Sequence, residues 1–477
     1  MRNFIKLILV GSTSILAACA TSPVQYTEDN VSALTQDLLQ SAALPEGFET
    51  SALSLEKTRE MAIKRNLDYR QRINQLLVQL DSQNGSAKSL LPKVYAQSFG
   101  RWRNNTNASI GVRVDELGSN FPQDFYTAQD QSYANSNITL TWNMLDIALS
   151  SHDKAETSIQ GYDSIENNRA GCHQLMVDVE RAYWRKLAYD RANERRDWLN
   201  DRIDYALDLS NKEAAKAKDK ELDEWMYQRE LIDIKRWYES MYRGLASAES
   251  DLKKLINIPH NTTFKVEPNT ASADIKFDLS AGDSMEDMFV YAFEHRPELR
   301  QALYTIDKTK LKNEKELLRR LPGLSLFLSQ NNDTNSFALN KDFLTAGVNL
   351  SWDVMGLVTI GKTKRQGETR LLLEQDNLDV VATSIMAQVA LASEDVKNLK
   401  AEMVLAWKAK SIQAGITGKL DADVKSGNNR EIYLIKEELL RELSVLREHI
   451  AQAELRASEA RLSQSLGVMQ ACDMDGR

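Results

Sequence analysis

A strand-like segment that leads directly into a very long helical stretch occurs twice in this chain. In residues 345–354, apolar and polar side chains alternate up to Trp352, and a period of two places them on opposite faces of a strand. Residues 137–144 show the same alternation, with Trp142 lying 210 positions before Trp352. After each segment the apolar residues recur with a helical period for roughly 60 residues. The fold must therefore combine short strands with helices of unusual length.

The two copies extend in both directions, which indicates an internal repeat. Residues 62–70 resemble residues 292–300 at an offset of 230, and residues 251–257 resemble residues 461–467 at an offset of 210. The change of offset falls between the two strands of each unit, so the first unit has the longer loop there. Each unit is predicted to run helix, strand, loop, strand, very long helix, turn and helix.

The repeat divides the chain into two structural units joined by a linker. The predicted segments are a signal peptide at residues 1–18, an N-terminal arm at 19–52, the first repeat at 53–258, the linker at 259–284, the second repeat at 285–467 and a tail at 468–477. The predicted strands cover about residues 93–107, 135–146, 323–331 and 345–354. A single helix is predicted over residues 53–89, and a loop over residues 111–133, which are rich in Gly, Asn, Asp and Gln.

Composition narrows the class of protein. Charged residues make up 27% of the chain and aromatic residues 7%, which excludes a disordered chain and a multi-span helical membrane protein. The helical stretch from residue 148 to about residue 210 contains no proline, and about 65 residues at 1.5 Å each give a length on the order of 100 Å. A net charge of −8 without a sustained basic run predicts no nucleic-acid partner.

The N-terminus has the pattern of a targeting signal. Two basic residues precede the apolar run 7–16, which is too short to span a bilayer, and small residues then lead to Cys19. This order resembles a bacterial lipoprotein signal and implies cleavage before Cys19 and attachment of fatty acid, such as palmitate, to that residue. The alternatives are an ordinary signal cut near Ala18, or a cysteine that lies there by chance. In such lipoproteins, a non-acidic residue like Ala20 implies the outer membrane.

The strands cannot form a complete membrane sheet within one chain. Four short strands are too few to close, and lipid tolerates no open strand edge. Several chains must therefore share one barrel, and three chains would supply 12 strands, which lies within the range of outer-membrane barrels.

These features together resemble the outer membrane factor (TolC-like) family. They are the lipoprotein-like start, the helix that ends in Leu-Pro before a strand, the Trp-bearing strand that leads into a long helix, and the duplication of this order. The resemblance covers nearly the whole mature chain, and the order and spacing of the duplicated set are its specific part. It implies a mainly α fold with a small β-barrel, in which a homotrimer forms a 12-stranded barrel in the outer membrane, continuous with a long periplasmic α-helical barrel, with the linker in an equatorial region.

The resemblance also implies a function. The family provides passive export ducts that work with a periplasmic adaptor protein and an inner-membrane pump of the RND or ABC type, in drug or metal efflux or in type I protein secretion. It implies a lipid-anchored protein of the outer membrane that extends into the periplasm, with no enzymatic activity, nucleotide or other cofactor. Two alternatives remain: a lipid-anchored helical periplasmic scaffold without a pore, and an enzyme with a nucleotide site.

The second alternative rests on residues 356–363, which match the P-loop pattern G-x-x-x-x-G-K-[ST] between a strand and a helix. A P-loop strand is buried on both faces and nearly all apolar, whereas this one alternates. The first repeat has no glycine or lysine at the corresponding residues 146–153. We interpret the match as coincidental.

Other residues each allow two interpretations. Trp142 and Trp352 are predicted to be membrane-interface aromatics or packing residues at the strand–helix junctions. Five histidines show no metal-ligand spacing, so we expect core or surface positions and no metal site. They are His152, His173, His260, His295 and His449.

The turn that follows each long helix would form the periplasmic mouth in this family. Near these turns, the offset of 210 aligns Asp223 with Tyr433 and Met226 with Lys436. Asp223 matches an acidic position of the family, whereas Tyr433 and Lys436 depart from it. We hypothesise that Asp223 and Lys436 pair between neighbouring helices and keep the mouth closed; the alternative is that they are solvated surface.

Cys172 and Cys472 are either a disulfide formed in an oxidising compartment or two buried thiols. Counting from the turns at the helical rise places them at similar heights of ~65 Å and ~60 Å. Height alone does not bring the two Cα atoms within the ~6 Å that a disulfide requires.

We predict that Cys19 carries lipid. Replacing it by Cys19→Ser should abolish incorporation of a fatty-acid analogue, because the acylated atom is the sulfur. The matched control, Cys172→Ser, should leave incorporation unchanged. Continued labelling of the Cys19→Ser chain would contradict the assignment.

Overall fold

The computed structural model of this chain is mostly helical and carries a small sheet, which confirms the predicted mainly α fold. It describes residues 52–85, 91–110, 125–216, 221–268, 284–427, 431–469 and 472, together with Val31, Thr35 and Leu44. The predicted signal peptide and the lipidation site Cys19 lie outside the described residues, as does nearly all of the predicted arm.

Each half of the chain contains two helices, two strands of the main sheet, a long helix and a further helix in this order, and the first half adds β2, β3 and α5 whereas the second adds α8. The first half contains α1 (Leu55–Arg65), α2 (Leu67–Gly85), β1 (Lys93–Trp102), β2 (Ala108–Ile110), β3 (Phe125–Thr127), β4 (Ser132–Asn143), α3 (Met144–Lys216), α4 (Glu221–Leu245) and α5 (Ala248–Ile256). The second half contains α6 (Met285–His295), α7 (Pro297–Leu318), β5 (Gly323–Asp333), β6 (Asp342–Ser351), α8 (Val354–Val358), α9 (Ile360–Lys425) and α10 (Glu431–Leu466).

The single helix predicted over residues 53–89 is wrong, because the chain breaks between α1 and α2. The Asn66 side chain accepts a hydrogen bond from the Tyr69 amide (2.9 Å) and donates one to the Leu255 carbonyl (3.0 Å), so it caps α2 and fixes it to α5. The same break in the second half has a different cause. Pro297 is the first residue of α7, and the preceding Arg296 is extended, as a residue before proline prefers to be.

The strands also differ from their predicted bounds. β1 ends at Trp102, five residues before the predicted end, and β6 spans residues 342–351 instead of 345–354. β4 ends at Asn143, whose side-chain oxygen accepts from the Leu145 amide (3.0 Å), so α3 begins inside the predicted strand. The predicted loop at residues 111–133 includes β3 and the start of β4.

The sheet contains four antiparallel strands in the order β1-β4-β5-β6, and β2 pairs with β3 in a separate hairpin. The two sheet strands of each half thus lie side by side, β1 with β4 and β5 with β6, and the two halves meet between β4 and β5. The edges of the sheet are β1 and β6.

The long helices form a layer. At about 1.5 Å per residue, the 73 residues of α3 extend about 110 Å. In the half of the layer that ends at the turns, the order is α4, α3, α10, α9; in the half nearer the sheet it is α2, α3, α7, α9. Buried apolar side chains from α3, α4 and α10 form one core cluster, and others gather around α1, α3 and α5 and around α6, α9 and α10.

The described part of the predicted linker belongs to the core. Leu53 exchanges backbone hydrogen bonds with Lys265 and Glu267, both at 2.9 Å, and the Tyr183 hydroxyl donates to the Leu53 carbonyl at 3.0 Å. Phe264 and Val266 are buried in the same region. Residues 259–268 therefore pack against the middle of α3.

A disulfide fixes Cys472 to the same region. Gly467 ends α10 with a φ of +78°, and a Cβ there would lie 2.7 Å from the His295 carbonyl carbon, so only glycine fits. The chain then turns back, and Cys472 is joined to Cys172 with a Cα separation of 5.7 Å. Of the two interpretations of these cysteines, the structure contains the disulfide.

We predict that Cys172→Ser lowers the free energy of unfolding by about 2–5 kcal/mol, because the unfolded chain loses a 300-residue cross-link. Denaturant melts of the wild type and the variant would measure the difference. A reductant should lower the stability of the wild type and leave that of Cys172→Ser unchanged. Maleimide labelling of Cys172 and Cys472 in unreduced, denatured protein would contradict the bridge.

Candidate functional site: the two-faced sheet and the helical tips

The four-stranded sheet has one apolar and one polar face. Strand register places Val94, Leu140, Leu328 and Ala346 in one row across all four strands. The apolar side chains of this face are Val94, Ala96, Trp102, Ala134, Ile138, Leu140, Trp142, Leu324, Leu326, Leu328, Leu344, Ala346, Val348 and Leu350. Toward the far end the same face also carries polar side chains, which are Gln330 and the row of Ser98, Ser136, Asn332 and Asp342. Many of the apolar side chains are more than half exposed in the single chain. An apolar surface of this extent marks contact with a membrane or a partner.

Tryptophans lie at both ends of the apolar face. Trp142 and Trp352 are at the end next to the helices, and Trp102, 75% exposed, is at the far end, paired with Ser132. Ten residues of β4 separate Ser132 from Trp142, or ~33 Å along the strand at ~3.3 Å per residue. A strand tilt of ~40° reduces this to a height of roughly 25 Å, which equals the apolar band of an outer-membrane barrel. Sequence reasoning missed Trp102, because β1 alternates too weakly to be assigned a face.

Trp352 has a second contact. Its indole nitrogen donates to the Arg320 carbonyl at 3.2 Å, which fixes the ring to the turn before β5. The ring is nevertheless 48% exposed. Packing at the strand–helix junction and exposure at the apolar face therefore occur together at this residue.

The polar face consists largely of hydroxyl and amide side chains. Thr139 and Ser329 form a hydrogen bond between their hydroxyls at 2.8 Å, and the Asn331 amide donates to the Thr345 hydroxyl at 3.2 Å. Phe327 lies across Gly347, where a Cβ would approach the ring to 2.5 Å, so the glycine makes room for it. A sheet that is apolar on one face and hydrogen-bonding on the other can separate lipid from water.

The edges of this sheet have no partner strand. Within the described residues, β1 pairs with β4 on one side only, and β6 pairs with β5 on one side only. Both edges therefore present backbone amides and carbonyls in a form that another strand can pair with.

Polar contacts tie three helices together near their turns. The Ser210 hydroxyl donates to the buried Glu224 carboxylate at 2.9 Å, which connects the end of α3 to the start of α4. The Tyr227 hydroxyl donates to the Ile432 carbonyl at 2.7 Å, which connects α4 to α10. We call the α3, α4 and α10 segments around these contacts the helical tips.

Lys436 does not pair with Asp223 as hypothesised. Its ammonium group lies 2.7 Å from the Glu230 carboxylate. Glu230 follows Asp223 by two helical turns on the same side of α4, and Asp223 itself is exposed in the first turn. Tyr433 is 45% exposed on α10. The offset of 210 aligns positions between repeats but contains no information on which turn of α4 faces α10, so Glu230 was missed.

The remaining motifs do not assemble into a chemical site. Residues 356–363 are helical except for Thr359, so they do not form a phosphate-cradling loop. Burial lowers the pKa of His173 to about 4, assisted by Arg169 and Arg296, and burial beside Arg191 lowers the pKa of His449 to about 4. Across the described ranges, no three His, Cys, Asp or Glu side chains are grouped as metal ligands. The described helices also include none that is both long and apolar enough to cross a bilayer.

The chain has the fold of outer-membrane channel proteins. No family model matches the sequence, and no curated protein matches it. Among solved structures it is similar to the outer-membrane channel OprN, with a TM-score of 0.65 at 13% identity over 87% of this chain and 90% of that one. The CmeC outer membrane channel of Campylobacter jejuni gives 0.64 at 13% identity over 87% and 85%. The open state of the MtrE outer membrane channel of Neisseria gonorrhoeae gives 0.61 at 15% identity over 87% and 90%. The mainly α fold with a few strands, expected from the sequence resemblance, is confirmed for the single chain.

We predict that lipid quenches the tryptophans at the ends of the apolar face. Bromine quenches the fluorescence of an indole only when it is in contact with it. Trp142→Phe and Trp352→Phe should therefore each reduce the difference in fluorescence intensity between vesicles without and with brominated phospholipid. The control is Trp184→Phe, whose indole is 2% exposed in the core and should not contribute. Equal loss of quenching in the control and the two test variants would contradict the assignment.

Proposed function

We propose that this chain is the subunit of a passive export duct of the outer membrane, an outer membrane factor. The observation that carries the proposal is the sheet with one apolar face, one polar face and two unpaired edges. In lipid the apolar face must point outward, and every strand edge must find a partner. Copies of the chain satisfy both conditions when β6 of one copy pairs with β1 of the next.

The edges of the helical layer support the same closure. α9 exposes a stripe of apolar side chains along one side of the helix, because their spacings are close to whole numbers of helical turns. The stripe consists of Leu373, Val380, Leu391, Leu405 and Ile412. At the opposite edge, α4 exposes Leu222, Trp225 and Ile232. Because the two edges differ, the contact is head-to-tail, and a ring results if the rotation closes. Three copies give 12 strands, so we propose a homotrimer.

The duct requires partners at both ends. We propose that the tips meet a periplasmic adaptor and an inner-membrane pump of the RND or ABC type, in drug or metal efflux or in type I secretion. Acylated Cys19 would add a lipid anchor in the outer membrane. The alternative, a scaffold without a pore, leaves the apolar face and the two open edges of the sheet without a role.

The proposal is tested by conductance in a planar lipid bilayer. Purified full-length protein should insert and give discrete, uniform conductance steps, because copies that join into a ring enclose a water-filled path. A scaffold gives none. Membrane insertion without conductance, both in the wild type and in a variant that lacks the tip ion pair, would contradict the proposed duct.

We further propose that ion pairs at the helical tips favour the closed mouth. One exposed pair such as Lys436 with Glu230 contributes only ~0–1 kcal/mol. Three symmetric copies act on one shared open–closed equilibrium, so their contributions combine. Asp223 and Tyr433 lie nearer the turn and are the residues that we expect to contact the neighbouring copy.

We predict that Lys436→Ala and Glu230→Gln each raise the resting conductance, because each removes the tip pair. The charge-exchanged double variant, Lys436→Glu with Glu230→Lys, should restore the closed state. Lys425→Ala is the control, since Lys425 pairs with Asp421 within α9 and both side chains are exposed. If both single variants conduct like the wild type, the pair has no role in closing the mouth and is solvated surface.

A further inference from the structure

The middle of the polar face carries no charged side chain. One row across the sheet consists of Tyr95, Thr139, Ser329 and Thr345, and the next consists of Gln97, Asn137, Asn331 and Phe343. Charges occur only beyond these rows, at Lys93 toward the helices and at Arg101 and Asp333 toward the far end. We call these two rows the neutral belt.

Side-chain hydrogen bonds connect the belt across three strands. The hydroxyls of Thr139 and Ser329 join β4 to β5 at 2.8 Å, and the Asn331 amide joins β5 to β6 through Thr345 at 3.2 Å. The same amide group also donates to the Ser329 carbonyl at 3.1 Å. These bonds fix the orientation of the side chains, so the belt is an ordered surface.

The belt is most sheltered at the centre of the sheet. Ser329 of β5 is 6% exposed, whereas Tyr95 of β1 and Phe343 of β6 are 47% and 44% exposed. On the opposite face, the apolar Ile138 and Leu344 are 56% and 64% exposed. An exposed apolar face opposite a sheltered polar face is what the wall of a barrel with a polar interior requires.

We propose that the neutral belt lines the transport path in the middle of the barrel and gives this segment no preference for cations or anions. The inference rests on the proposed function, because it requires copies of the chain to close around a lumen. Twelve strands enclose a wider interior than the eight-stranded barrels whose side chains fill the lumen. The wall then offers hydroxyl and amide groups to polar cargo of either charge, and any selection by charge must arise elsewhere along the path.

Neighbouring residues of β4 provide a matched test of which face is wet. Asn137 belongs to the belt, and Ile138 belongs to the apolar face. In reconstituted vesicles, Asn137→Cys should react with a charged, water-soluble thiol reagent, whereas Ile138→Cys should react only with a lipid-soluble one. The reverse pattern, or equal reaction of both with the water-soluble reagent, would overturn the proposal. This measurement does not depend on conductance.

A second measurement tests the absence of charge preference. In a salt gradient, Asn137→Asp should raise the cation-to-anion permeability ratio by about threefold or more, because three symmetric carboxylates would enter the path. Asn137→Lys should lower the ratio by a comparable factor. Unchanged reversal potentials in both variants of a conducting channel would overturn the proposal. If Asn137→Cys and Ile138→Cys label as predicted but the protein does not conduct, the duct is contradicted, whereas the orientation of the belt toward water is supported.

Discussion

In the proposed duct, the rest of the structure depends on one constraint, which is that a strand edge in lipid must be paired. Each unpaired amide or carbonyl in hydrocarbon costs several kcal/mol, and β1 and β6 each present a row of them. No rearrangement within one chain removes both edges, because four strands are too few to close a barrel. The same sequence also places most apolar and most polar side chains on opposite faces, which is the arrangement that the proposed duct requires, with lipid outside and water inside. Association with further copies meets both demands.

In the proposed duct, the long helices lie outside the membrane. They are too polar for lipid, and they bury their apolar residues against one another: Leu199 and Ile203 of α3 are fully buried in the cluster shared with α4 and α10. Near the middle of α3, Leu53, residues 264–267 and Cys472 are all fixed in one place. The disulfide adds a covalent bond between the two halves there. In the proposed duct the movable part is expected at the tips, where ion pairs of small individual energy lie beside the last buried apolar side chains, such as Ile432.

Much of this architecture could be predicted from the sequence, because it rests on periodicity. The period-two segments identified β4, β5 and β6, whose alternation indicated two faces, whereas β1 was predicted as a strand without a clear alternation. Pro297 was a visible signal for the break between α6 and α7, and the offset of 230 would have transferred that break to Asn66. The weak alternation of β1 arises because Ser98 and Gly100 occupy its apolar face, which concealed Trp102. The partner of Lys436 and the pairing of Cys172 with Cys472 depend on the angle around the helices, which linear spacing does not contain.

The central claim is that copies of this chain close into a three-membered ring. The most direct test is the mass of the full-length protein purified in mild detergent, measured by native mass spectrometry or by light scattering corrected for bound detergent. The account predicts a single species of three chains that persists on dilution, because each interface pairs two strand edges and covers two apolar helix stripes. A stable monomer with a folded sheet would contradict it.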